Sequence, residues 1–162
     1  MLNQSKLIKP TTVVGFDDLY KAEVAGVLST QLRVVDELMP LVFAFGEARD
    51  GFGKNRHSDI VRAVTQMGLD LCAGRIRDVL PTVNILAALH ARFRLDEARK
   101  YKPGDIEDLG HAAAALPYNN ALFTENSLAH SLTTPPTDLA TAYGTRVVSR
   151  MQDAIAVLEN MG

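Results

Sequence analysis

"DIEDLGHAAAALPYNNALFTE", residues 105–125, sets Asp105, Glu107, Asp108 and His111 ahead of an alanine-rich run and closes a short apolar stretch on Thr124-Glu125. Asp105 follows Pro-Gly and suits a helix N-cap, and Glu107 and Asp108 suit the positive end of a helix dipole. A helix is therefore expected over 106–116, stopped by Pro117. "ALFT" (121–124) reads as a short buried strand. Short helices follow around 126–132 and 137–143, on either side of "TTPPT". Gly144 ends the second, "TRVVS" (145–149) is a second strand, and a last helix covers 151–160. Alternating helices and strands with long connections imply parallel strands covered by helices, a helix-rich α/β fold with a short parallel sheet.

That topology bears on the acids. A helix leading into a parallel strand runs antiparallel to it, so the helix start lies near the strand's C-terminal end. Asp105, Asp108, Glu125 and Ser149 are then expected at one edge, where ligands bind in open α/β sheets. Asp108 and His111, three apart, share a helical face. Asp108 and Glu125, with Asp105 beside them, offer hard oxygen ligands of the kind Mg²⁺ or Mn²⁺ takes. Such an ion activates water for phosphodiester hydrolysis. The competing reading is structural: Asp105 caps, Glu107 and Asp108 answer the dipole, and His111 packs. Spacing alone leaves both open.

The first half reads as mostly helical. "FDDLYKAEVAGVLSTQLRVVDEL" (16–38) carries Leu19, Val24, Val27, Leu28, Leu32, Val35 and Leu38 near one face, with Asp17 and Asp18 at its start. "MPLVFAFG" (39–46) is either a buried strand or a second helix after a Pro break. Residues 47–59 read as a loop; Ser58 or Asp59 can cap the helix "IVRAVTQMGLDLCAG" (60–74), and "RIRDVLP" is a short element. Residues 82–100 are expected to form one long helical stretch or two segments, ending before the breaker "YKPGD".

Length and composition bound the function. A chain of 162 residues suits a single domain, and 47% apolar with 22% charged residues argues against wholesale disorder. A net charge of −2 requires any nucleic-acid contact to come from a local basic patch. One cysteine, Cys72, allows neither an internal disulfide nor a Cys-rich zinc site, which points to a reducing compartment. No signal peptide or membrane span is evident, so a cytoplasmic protein without a membrane partner is expected. "DGFGKN" lacks the glycine spacing of a phosphate loop. His57, His90 and His130 are isolated in sequence, and Cys72 reads as buried and inert.

"YKPGDIEDLGHAAAALPYNNALFTENSL" (101–128) resembles the C-terminal part of bacterial PIN-like proteins, and "LATAYGTRVVS" (139–149) resembles their last strand region. The likeness covers about residues 85–160, through an Asp-x-x-His-Ala-Ala helix, a Pro-Tyr break and a strand ending in Thr-Glu. It implies a PIN-like fold and a metal-dependent ribonuclease site. Asp108 and Glu125 match acidic metal positions, and His111, Pro117, Tyr118 and Thr124 match supporting ones. The family's first Asp, at the end of an N-terminal strand, has no counterpart, since Asp17 and Asp18 of "TTVVGFDD" read as a helix start. Asn120 also stands where similar proteins often carry an acid. The resemblance thus implies either one whole PIN-like domain over 1–162 or the C-terminal portion of one, incomplete at its N-terminal side. Two functions follow: hydrolysis of RNA phosphodiesters if the site is complete, or a catalytically incomplete module that oligomerises or binds a partner. A sheet short of its first strand would favour a homo-oligomer.

"RFRLDEARKYK" (92–102) carries Arg92, Arg94, Arg99, Lys100 and Lys102, with Phe93 and Tyr101 among them. Cations there can hold an RNA backbone, and the aromatics Phe93 and Tyr101 can stack on unpaired bases. The plainer alternative is a solvated helix face with Phe93 in the core.

Overall fold

The computed structural model describes residues 15–45 and 56–160. Its helix α3, Pro81–Leu95, begins on a proline, whose missing N–H is no loss in a first turn. Asn84, Ile85, Ala87, Ala88, Leu89, Ala91 and Phe93 of α3 are all buried. A helix covered on most sides is a core helix. It packs against α1 (Phe16–Phe45) and α4 (Asp105–Ala115), while α2 (Arg56–Cys72) lies against α1. Leu19, Tyr20, Val24 and Leu28 of α1, Leu71 of α2, and Leu109, Ala112 and Ala113 of α4 join Ile85 and Leu89 in one core.

The fold is helix-rich α/β with a two-stranded parallel sheet. Strand β1 (Ala121–Phe123) pairs with β2 (Arg146–Val148) in the register Ala121↔Arg146, Leu122↔Val147 and Phe123↔Val148. Helices α5 (Asn126–Thr133) and α6 (Leu139–Tyr143) form the crossover, and α7 (Met151–Glu159) follows β2. Thr145 ties the sheet to the break after α4. Its buried hydroxyl donates to the carbonyls of Leu116 (2.5 Å) and Asn119 (3.0 Å). Gly144 closes α6 with a positive φ of 67°, a conformation that glycine adopts without a Cβ penalty.

Several local expectations are corrected. Helix α1 continues to Phe45 with Pro40 inside it, so 39–45 is neither a strand nor a separate helix. Ser58 and Asp59 lie within α2, which starts at Arg56, and so do not cap it. Residues 46–55, with the "DGFGKN" segment, lie outside the described residues, as do 11–14. Helix α3 stops at Leu95, five residues short of Lys100, so Arg99, Lys100 and Lys102 sit on a connector rather than a helical face. The N-cap of α4 is Gly104, with φ 96°, and not Asp105. Strand β1 is half-buried at best, and Phe123 is 45% exposed.

Candidate functional site

Arg99 is the hub of the end at which the helices α3, α4 and α5 meet. The connector after α3 turns at Asp96, whose carboxylate accepts the N–H of Ala98 at 3.1 Å, as an Asx turn does. This delivers the Arg99 guanidinium over the ring of Phe93 on α3, 3.5 Å from its centroid. From there Arg99 donates to the Ser127 hydroxyl at 2.9 Å, in the first turn of α5, and to Asp105 Oδ1 at 3.5 Å, in the first turn of α4. Its Nε is buried with no acceptor. One side chain thus fastens the starts of two helices to the core.

Arg92, on the last turn of α3, is held by neutral groups. Its guanidinium donates to the carbonyls of Thr134 (2.9 Å) and Pro135 (2.7 Å) and to the Thr134 hydroxyl (2.7 Å). Burial, and then the positive charge of Arg99, lowers its pKa from the ordinary arginine value. Together the two arginines line a cavity of about 370 Å³ with Phe93, Asp96, Ser127 and His130.

The other basic residues divide. Arg94 is spent on an ion pair with Glu23 of α1 at 2.5 Å, an exposed contact. Lys100 and Lys102 are exposed. Tyr101 is 47% exposed and also makes contacts within the chain. Its hydroxyl meets His90 Nδ1 at 2.9 Å, and its ring lies 5.7 Å from Phe93 and 6.1 Å from His90. Burial, and next the Glu23 charge, raises its pKa.

Of the expected acids, Asp105 and Asp108 lie in the first turn of α4 and Glu125 lies at the start of α5. Asp108 and His111 are exposed on α4, and Glu125 is the exposed N-cap residue of α5 with no side-chain cap bond. Asp105 differs from them: it is 8% exposed, Oδ2 accepts the Lys102 N–H at 2.7 Å, and Oδ1 faces Arg99. Both its oxygens serve the connector. Among the described residues no group of three or more His, Cys, Asp or Glu side chains is placed to hold a metal ion. Asp108 and Glu125 supply at most two carboxylates, and Mg²⁺ commonly takes one or two carboxylates and keeps several waters.

Sequence reasoning missed Ser127, His130 and Thr134. The signal for them is weak: Ser127 and His130 are three apart on a short helix whose partner, Arg99, is 28 residues away. It also missed a buried relay across the core. Tyr20 donates to Asn84 Oδ1 at 2.7 Å, and Asn84 Nδ2 donates to Tyr143 at 2.8 Å. Cys72 is partly buried against the core, and burial raises its pKa.

No protein-family model, curated protein or solved structure matches the chain. No helix among the described residues is long and apolar enough to cross a membrane.

Proposed function

We propose that the chain is a PIN-like domain that binds single-stranded RNA through its phosphates, at the end where α3, α4 and α5 meet. The observation that carries this reading is the pair Arg92 and Arg99, two guanidinium groups held in one cavity largely by neutral partners. Fixed guanidinium forks match phosphate oxygens and lose little freedom on binding. Lys100 and Lys102, exposed on the connector, add longer-range attraction. Asp108 and Glu125 are the residues that would hold Mg²⁺ or Mn²⁺, and the ion when bound supplies activation of water. The test is fluorescence anisotropy with a labelled single-stranded RNA at low salt. Arg92→Gln and Arg99→Gln should each weaken binding about tenfold, the loss of one charge-assisted phosphate contact. Unchanged affinity in both variants would contradict the proposal.

A second reading, an oligomerising module, has its own observation. Met151, Ile155 and Leu158 are exposed at 78%, 50% and 61% on a single face of α7. Spacings of four and three residues place them in one stripe. Sedimentation of wild type and Ile155→Glu distinguishes the readings. A dimer that the substitution dissolves supports the module, and a monomer at all concentrations removes it.

A further inference from the structure

The geometry points to a subsite for a phosphate monoester in the cavity between α3, the 96–104 connector and α5, so that the domain recognises a phosphorylated RNA end or a mononucleotide rather than the middle of a strand. This rests on the RNA-binding proposal and sharpens its ligand. Two features of the cavity support it.

The first is charge. Arg92 and Arg99 are close enough that each opposes the other's charge. Arg92 is positioned by carbonyl and hydroxyl oxygens, which fix it without neutralising it. Among the described residues Arg99 is ion-paired with Asp105, at 3.5 Å. Asp96 is the one carboxylate among the lining residues; it accepts the Ala98 N–H, and its charge offsets part of that of Arg92. A phosphate monoester carries close to two negative charges at neutral pH and answers both guanidinium groups. An internal phosphodiester carries one. The second feature is shape and donors. A volume of about 370 Å³ is that of a pocket for a nucleotide-sized group. Ser127 accepts from Arg99 through its oxygen, so its own O–H is left to donate to a phosphate oxygen.

The experiment uses one ten-nucleotide RNA in three forms, with a 5′-phosphate, with a 3′-phosphate, and with hydroxyls at both ends. A nucleoside 5′-monophosphate and inorganic phosphate serve as competitors. One phosphorylated form should bind about tenfold more tightly than the dihydroxyl form. Competition by the mononucleotide with no preference among the RNA forms would also support the subsite and assign it to free nucleotide. Equal affinity of all three forms with no competition overturns the inference, and binding of the dihydroxyl RNA in that case leaves the broader RNA proposal standing. If only the mononucleotide binds, the RNA proposal fails and the subsite stands. Arg99→Gln should abolish the monoester preference. Because Arg99 also fastens two helices, Arg92→Lys, checked for a wild-type melting curve, is the companion variant. It keeps the charge, loses the fork and should lose most of the preference. A preference retained in a folded Arg92→Lys protein would place the monoester elsewhere.

Discussion

Replacing Asp105 by Asn should lower stability and raise RNA affinity, two effects of opposite direction from one carboxylate. Asp105 is 8% exposed and faces Arg99, whose side chain is 21% exposed, at 3.5 Å. Coulomb's law at an effective dielectric of ~20 gives a gross attraction of about 5 kcal/mol at that distance. Desolvation of both groups offsets most of it. Asn keeps an oxygen for the Lys102 N–H, 2.7 Å away in the wild type, but the bond loses its charge assistance. The net cost is about 2 kcal/mol, within the range for breaking a partly buried pair. For a chain of 162 residues this is about 4–8 °C in Tm. Calorimetry reads the first effect. The double variant Asp105→Asn/Arg99→Gln should be less destabilised than the sum of the singles by at least ~0.5 kcal/mol. Anisotropy with single-stranded RNA reads the second effect, since Arg99 is left without its counter-charge. A Tm within about 1 °C of wild type, or strict additivity, would show that the pair contributes nothing. Affinity that falls in a folded Asp105→Asn protein would mean that the carboxylate serves the ligand rather than the arginine.

Three further outcomes follow from the same structure. Leu89, fully buried on α3, should cost about 2–5 kcal/mol as Leu89→Ala in urea denaturation, through lost burial and a cavity. Gly104→Ala forces a side chain onto φ 96° at the start of α4 and should cost about 1–2 kcal/mol, although the space around its Cβ is open. Burial raises the Tyr20 and Tyr143 pKa values, so the folded chain keeps these protons at alkaline pH where the unfolded chain gives them up. Their contribution to stability is complete below the ordinary tyrosine value of about 10 and is lost as pH climbs through the folded values. Melting curves from pH 8 to 11 should show that decline, with a shallower slope in Tyr20→Phe.

Much of the secondary structure was legible because local chemistry and tertiary packing agree in the second half. Pro117 stops α4, Gly144 stops α6, and the short segments Ala121–Phe123 and Arg146–Val148 pair in parallel. The positions of Asp108 in the first turn of α4 and of Glu125 just ahead of α5 followed from local sequence. What escaped was what depends on contacts between distant segments. Pro40 signals a helix end, yet α1 runs on through it. Asp105 has the residue type of an N-cap, but Gly104 takes that position and the carboxylate turns back to Lys102 and Arg99. Nothing in "RFRLDEARKYK" distinguishes Arg94, spent on Glu23, from Arg92 and Arg99, which share a cavity with Ser127. The relay of Tyr20, Asn84 and Tyr143 joins residues 59 and 64 positions apart, beyond any periodicity.

The salt dependence of single-stranded RNA affinity tests the central claim most directly. Each phosphate neutralised on a single strand adds about 0.7 to the magnitude of the slope of log K against log salt. If Arg92 and Arg99 together neutralise two phosphate charges, Arg92→Gln/Arg99→Gln should flatten the wild-type slope by up to about 1.4 and weaken binding at every salt concentration. A folded double variant with the wild-type slope and affinity would contradict the account.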